Sequence, residues 1–530
     1  MQKFDFVIVG AGSAGCVLAD QLSASGRHSV LLVEAGGPDN SPYIHMPKGI
    51  GRIVGDPKRN LFYQTEPEPG NGGVGEVWLR GKTLGGSSAI NGMVYNRGQP
   101  ADYDHLESLG CPGWGWSEML PHFKAIENHP LGASAWRGEG GPLGLSLPPA
   151  DDPLNKIVLS ALASLGLRRL EDLNEDHGAG AFGLLPQTIY RGKRMSSAVA
   201  FLKPAMRRPN LRVVTGKRAD KLLFEGNRVA GLRCVDGTEY RCGREIILSA
   251  GALESPGVLM RSGIGDAREL QAMGIQPIYH APQMGCNLIE HRTLTPEYEV
   301  SSYRFSQNNR FSGWRLLAGV SAYYAARSGT LSRGSFEIGI FPKVTEGPGR
   351  PDSQILLFPY TIDPAKFPLG TGDTPQIAFA GFISRPDSRG SLKLRSSDPM
   401  APPVIRPNYL ATEHDRAVAI GTIRYIRKIA GAAPLRDIIV RETSPGPDTK
   451  SDEELLAAWS TKGGCGYHTI GTCAMGSNPQ SVTDPNLRVR GVEGVRVMDN
   501  SVLPHMVSGN TNAPMMAMAR RAAALILQGA

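Results

Sequence analysis

Phe4-Asp5-Phe6-Val7-Ile8-Val9-Gly10-Ala11-Gly12-Ser13-Ala14-Gly15 is the stretch on which the fold turns. Phe4 to Val9 reads as a buried strand, Gly10 to Gly15 as a glycine turn, and Cys16 to Ser23 carries apolar residues at helical spacing. His28 to Glu34 predicts a second strand, which completes a βαβ unit of the kind that holds phosphates. The turn matches G-x-G-x-x-G, a pattern expected by chance roughly once in a long glycine-rich chain. Context supplies the weight: a strand precedes it, a helix follows it, and Glu34 ends the next strand, where a carboxylate can accept from ribose hydroxyls. The glycines let a pyrophosphate approach the helix N-terminus, where unpaired N–H groups and the helix dipole favour negative charge. A dinucleotide site over Gly10, Gly12, Ser13, Ala14, Gly15, Glu34 and Ala35 is expected, the alternative being a tight turn without a ligand. The motif does not separate NAD from FAD.

Outward from that unit, 530 residues exceed one ordinary domain, and 41% hydrophobic content suffices for a large core, so two joined lobes are expected. The 65 glycines and 40 prolines are spread along the chain, which speaks for loops and close backbone contacts over low-complexity disorder. Net charge is +8 and the pI is near 9.1, yet basic residues occur only singly or in pairs such as Arg207-Arg208 and Arg520-Arg521, without interleaved aromatics. No nucleic-acid partner is expected. Cys16, Cys111, Cys234, Cys242, Cys286, Cys465 and Cys473 have no zinc-type spacing, so free thiols and no metal are expected. No leader and no apolar run of about eighteen residues is legible, which predicts a cytoplasmic protein without a transmembrane segment.

Gly36 to Gly81 lacks periodicity and reads as an extended excursion over the surface or a ligand. Leu211 to Val214, Lys221 to Phe224, Val229 to Cys234 and Glu245 to Ser249 are short β-type runs parted by turn signals such as Asp236-Gly237, predicted to extend the first sheet. From about Leu294 to Ser460 the character changes, with β-prone Gln354 to Tyr360 and Gln376 to Ile383 and one helix around Arg416 to Ile429. A final helix, Ala513 to Gln528, carries apolar residues on more than one face and should be buried.

A second glycine cluster, Arg80-Gly81-Lys82-Thr83-Leu84-Gly85-Gly86-Ser87-Ser88-Ala89-Ile90-Asn91-Gly92, could by physics alone be an anion nest or an ornate turn. It resembles the first signature of the glucose-methanol-choline oxidoreductases, and Gly251-Ala252-Leu253-Glu254-Ser255-Pro256-Gly257 with Arg261-Ser262-Gly263-Ile264-Gly265 resembles the second. Similarity continues in Gly285-Cys286-Asn287-Leu288 with His291, in Arg385-Pro386-Asp387-Ser388-Arg389-Gly390, and around His468 and Asn510. The resemblance implies a discontinuous Rossmann-like FAD-binding domain (1–153, 191–293 and 462–530) with a mixed α+β substrate-binding domain (154–190 and 294–461). It implies FAD lined also by Arg80, Leu84, Gly85, Gly86, Ser87, Asn91, Gly92, Met93, Val94, Ala219, Ala250, Gly251, Asp499, Asn500, Asn510, Thr511 and Asn512. Some members attach FAD through a histidine just before the Asn of the first signature; Ile90 stands there, so FAD is expected to be non-covalent.

Alcohol oxidation needs a hydride acceptor and a base for the hydroxyl proton, and histidine suits the second task near neutral pH. Of eleven histidines, His468 in Gly466-Tyr467-His468-Thr469-Ile470-Gly471-Thr472 is similar to the family's active-site histidine, and Asn510 matches the family's second position, where His or Asn holds the alcohol oxygen. His505 is the rival base. Trp114 and Trp116 read as core anchors before an aromatic wall at the substrate entrance, and Cys465 and Cys473 as packing residues. Two functions follow: FAD-dependent oxidation of a small-molecule alcohol, with oxygen or another acceptor reoxidising the flavin, and a lyase or decarboxylase on the same scaffold. Oligomeric state is not legible.

Overall fold

Strand Lys3–Val9 is flanked by parallel partners, Val30–Val33 on one side and Glu239–Leu248 on the other, and its last four residues are all buried. This follows from composition: Phe-Val-Ile-Val is apolar on both faces, as a strand covered by helices on both sides must be. The structure is a computed structural model that describes residues 3–366 and 370–529. Lys3–Val9 is central to a seven-stranded sheet in the order Leu211–Val214, Val30–Val33, Lys3–Val9, Glu239–Leu248, Arg228–Cys234 and Ala219–Glu225, with Val495–Val497 also pairing parallel to Glu239–Leu248.

The helix of the first βαβ unit runs over Ser13–Ser23, and the last helix over Asn512–Gln528; the two pack on each other beside this sheet. Several strand boundaries differ from the expectation, two of them for reasons visible in the structure. His28 and Ser29 stay outside the strand because the Asp5 carboxylate takes the Ser29 N–H and hydroxyl, 2.8 and 2.9 Å away. The expected Glu245 to Ser249 strand is the end of a ten-residue strand, since the Asp236-Gly237 turn folds Glu239 back onto Arg233.

A second, nine-stranded sheet runs Ile439–Ser444, Glu297–Val300, Gln376–Ile383, Ser353–Phe358, Ile338–Phe341, Ala181–Leu184 and Arg168–Arg169. Arg292–Leu294 and Gly464–Cys465 join beside Gln376–Ile383, so this sheet reaches a few residues past 294–461 at both ends. The Glu413–Ala430 helix starts where Thr412 accepts the Asp415 N–H and buries Ile423, Ile426 and Ile429 against the sheet.

The expected extended excursion of 36–81 is instead structured. It holds two short helices, Pro42–His45 and Ile50–Ile53, and an antiparallel hairpin of Asn60–Gln64 with Val77–Gly81. Leu61, Phe62 and Tyr63 are apolar in succession, so this strand shows no polar alternation in the sequence. Pairing with Trp78, fully buried with its indole N–H donating to Glu76, fixes it.

Candidate active site

The two glycine clusters are one structure. Gly10 has φ +103°, and a Cβ there would lie 2.4 Å from the Ser249 carbonyl oxygen. The Gly85 N–H donates to the Ala11 carbonyl at 2.8 Å, and a Cβ on Gly86, φ +51°, would lie 2.7 Å from the Gly12 Cα. Gly12 caps the Ser13–Ser23 helix without any side-chain hydrogen bond, which leaves first-turn N–H groups free for an anion. The Asn512–Gln528 helix brings a second N-terminus to the same spot, joined to the first where the Ser13 hydroxyl donates to Asn512 Oδ1 at 2.7 Å.

These loops form one side of a cavity of about 640 Å³. Gly10, Gly12, Ser13, Ala14, Glu34, Ala35, Arg80, Gly86, Ser87, Asn91, Gly92, Met93, Val94, Ala219, Ala250, Gly251, Asp499, Asn500, Asn510, Thr511 and Asn512 line it. Gly15, Leu84 and Gly85 do not. Gly15 lets the helix close on the turn, a Cβ there falling 1.9 Å from the Gly10 carbonyl oxygen, and Leu84 and Gly85 support the cradle from behind. Glu34 does more than face the cavity: its Oε2 accepts the Ala11 N–H at 2.8 Å and its Oε1 the Gly36 N–H at 2.7 Å, while burial pushes the carboxyl pKa up. Asp499 likewise accepts the Gly251 N–H at 2.8 Å and the Ser255 hydroxyl.

At the other end, five residues from five segments form a hydrogen-bonded line. His291 Nε2 lies 3.0 Å from the Ser384 carbonyl, His291 Nδ1 2.9 Å from His468 Nδ1, His468 Nε2 3.0 Å from Asn510 Nδ2, and Asn510 Oδ1 3.1 Å from Gln354 Nε2. A carbonyl only accepts, so His291 carries its proton on Nε2 and accepts at Nδ1. His468 must then donate from Nδ1, which leaves the Nε2 lone pair toward Asn510 and the cavity. Burial brings His291 down to about 4, consistent with a neutral ring. Burial first, then the His291 and Arg80 charges, holds His468 well below the usual histidine range. The His468 N–H donates to Glu290 at 2.6 Å, and Arg80 bonds Thr469 and pairs with Glu290 at 3.5 Å, so the loop is pinned on both sides of the ring.

His505 is not brought to the cavity wall; its ring meets His105 edge-on at 4.7 Å. Trp114 is fully buried and donates to the Pro485 carbonyl at 2.8 Å, and half-buried Trp116 packs onto the core against Tyr103 and Phe123, so neither lines the cavity. Cys465 and Cys473 are buried, and all seven cysteines are unpaired. Sequence reasoning missed the pairing of His291 with His468, although Glu290-His291 sits beside the Gly285 motif. Missed too were Gln354 and an aromatic wall of Phe336, Phe358, Tyr360 and Phe382. Phe336 and Phe358 lie 4.2 Å apart, and Phe382 lies 6.1 Å from the His468 ring.

The GMC oxidoreductase family model matches residues 4–293 in its N-terminal part and 386–519 in its C-terminal part. The chain belongs to the GMC oxidoreductase family. It is 39% identical over 534 residues to alcohol dehydrogenase [acceptor] of Pseudomonas putida, covering 99% of this chain and 96% of that one. It is 37% identical over 532 residues to the oxygen-dependent choline dehydrogenase of Brucella anthropi, with 99% and 95% covered. Among solved structures, pyridoxine 4-oxidase from Mesorbium loti superposes with a TM-score of 0.87 at 32% identity over 98% of both chains. Formate oxidase gives 0.91 at 27% identity over 100% of this chain and 98% of that one.

As a GMC oxidoreductase the chain is an FAD-dependent enzyme acting on CH–OH. The site fits that cofactor on its own geometry. Gly251, φ +89°, has open space where a Cβ would stand, and Asn500 lines the cavity with a buried Oδ1 that no described protein group satisfies. The two helix N-termini and the glycine loops make the anion-binding end.

Proposed function

We propose that this GMC oxidoreductase oxidises an uncharged, apolar primary alcohol, with His468 as base and Asn510 as the group that positions the substrate oxygen. FAD, when bound, supplies the hydride acceptor. The observation that carries the assignment is the line Ser384, His291, His468, Asn510, Gln354. It leaves the Nε2 lone pair of His468 and the amide N–H of Asn510 3.0 Å apart at the cavity wall. A hydroxyl that displaces this bond and lies within reach of both atoms donates its proton to Nε2 and accepts from Nδ2, which fixes its oxygen and orients its carbon. Asn510 cannot itself take a proton at neutral pH, and its orientation is held because Gln354 donates to Oδ1. On accepting the proton, His468 keeps its Nδ1–H bond to His291, so the imidazolium forms without any ring rotation.

The substrate reading rests on the wall around that point. Phe336, Phe358, Tyr360, Phe382, Ala380 and Ile362 are apolar or aromatic. The carboxylates that reach the cavity are engaged elsewhere: Glu34 by backbone N–H groups, Glu254 by Arg218 at 3.0 Å, and Asp499 by Gly251 and Ser255. A quaternary ammonium such as choline would find no free counter-charge among the described residues that line the cavity. A cytoplasmic setting is supported by the seven unpaired cysteines, and non-covalent FAD by Ile90 in place of a histidine. The two sheets support the division into a discontinuous FAD domain and a substrate domain with the seams proposed above.

Anaerobic mixing with benzyl alcohol, 1-hexanol and choline tests the reading. Loss of the oxidised-flavin absorbance is expected with the first two and little with choline; choline as the best reductant would overturn the substrate class alone. Bleaching by no alcohol would favour the lyase. Admitting air then separates oxygen from another acceptor by the speed of recovery.

A further inference from the structure

From Val300 to Phe336 the chain carries no Asp or Glu and no Lys, but five arginines, Arg304, Arg310, Arg315, Arg327 and Arg333. In the middle of that stretch stands the Gly313–Ala326 helix. Its inner side is anchored: Tyr323 is buried with Met46 and Leu331, and Val320 and Phe311 pack against them. Its outer side is apolar and in water. Trp314 and Leu317 are each 69% exposed and Tyr324 is 55% exposed, and their spacing of three and seven residues puts them on one stripe. Isolated exposed apolar residues need no explanation, but a Trp, a Leu and a Tyr on one face of one helix form a patch that a partner ordinarily covers.

We propose that this face docks the enzyme on an anionic lipid bilayer. Three observations favour lipid over a protein. Exposed Arg304, Arg310 and Arg315 form no ion pair with a carboxylate among the described residues, so their charge is available to headgroups. The Arg315 guanidinium stacks 4.9 Å over Trp314, and that of Arg327 lies 5.8 Å from the Tyr324 ring, which sets cation and amphipathic ring side by side as the headgroup boundary requires. A second copy would instead bring arginine against arginine, with no acid in the segment to relieve it.

The position gives the docking a use. Phe311, just before the helix, lies 5.1 Å from the ring of Tyr360, which lines the cavity, and half-exposed Ile362 lines it as well. The helix that carries the docked face therefore rests with its inner side against the cavity wall, and an apolar alcohol dissolved in lipid reaches the cavity by a short path. The docking stands on the helix alone; the delivery rests on the substrate reading above.

The test is co-sedimentation of the FAD-loaded protein with vesicles of phosphatidylcholine alone or with about a third phosphatidylglycerol, alongside the variant Trp314→Ser/Leu317→Ser. Binding to the anionic vesicles is expected to be roughly ten-fold or more tighter than to neutral ones and to weaken with salt. The double variant should lose that binding yet be reduced by a water-soluble alcohol at the parent rate, which shows that it is folded. Equal binding to neutral vesicles, no binding, or full binding by the double variant would each overturn the proposal. So would a parent protein whose mass in light scattering falls by half in the double variant, since the face would then belong to a second copy.

Discussion

His468 owes its chemistry to neighbours that fix which nitrogen holds the proton. With Nδ1–H committed to His291 and burial keeping the ring unprotonated, Nε2 is a free base at neutral pH, and activity is lost only as pH falls through the lowered pKa. His468→Ala should keep the yellow protein, because the residue is remote from the glycine cradle, and should slow anaerobic reduction about 10²–10⁴-fold. In the parent enzyme the acid limb of the reduction rate should lie below the ordinary histidine value of 6.5. Wild-type-like reduction by the variant, or an acid limb at or above that value, would sink the assignment. The local loop around 468 was legible in the sequence because its glycines and threonine are contiguous. The line of partners was not: His291 is 177 residues away and Gln354 is 156 residues from Asn510, and no local pattern links them.

Between the two glycine loops, contact is backbone on backbone. Gly86→Ala would force a methyl to 2.7 Å from the Gly12 Cα at a left-handed φ, a conformation that costs an L-residue roughly 1–2 kcal/mol before the clash. The expected outcome is a protein isolated with little FAD and a lower melting temperature, checked by the flavin-to-protein absorbance ratio; a fully loaded variant would mean that the loops do not need to touch. At this scale the sequence was most readable where one element carries its own signal. The Phe4 to Val9 strand, the Gly10 turn, the Asp236-Gly237 hairpin and the Glu413–Ala430 helix each announce themselves by period or turn chemistry. The hairpin of Asn60–Gln64 with Val77–Gly81 did not, since its connection is twelve residues long and its Leu61-Phe62-Tyr63 run lacks a strand's alternation; only the burial of Trp78 explains the pairing. Of the nine-stranded sheet only Ser353–Phe358 and Gln376–Ile383 stood out, because the remaining strands are two to six residues long and several pair with distant segments.

The molecule as a whole is built around its cavity, with a phosphate-binding sheet on one side and an aromatic-walled sheet on the other. Removing FAD should therefore loosen the join between them. Apoprotein titrated with FAD should gain about 2.7 kcal/mol of stability at a hundred-fold excess over Kd, read as a rise of several degrees in melting temperature. A melting temperature indifferent to FAD would show that the cradle is rigid without it. The bond from Ser13 to Asn512 adds an order in time. It spans 499 positions, and the strand at Val495–Val497 is a late addition to the same sheet. A nascent chain on the ribosome thus presents its glycine turn 499 positions before Asn512, whose helix helps to enclose the cofactor. Flavin capture in this sense waits on the synthesis of the Asn512–Gln528 helix.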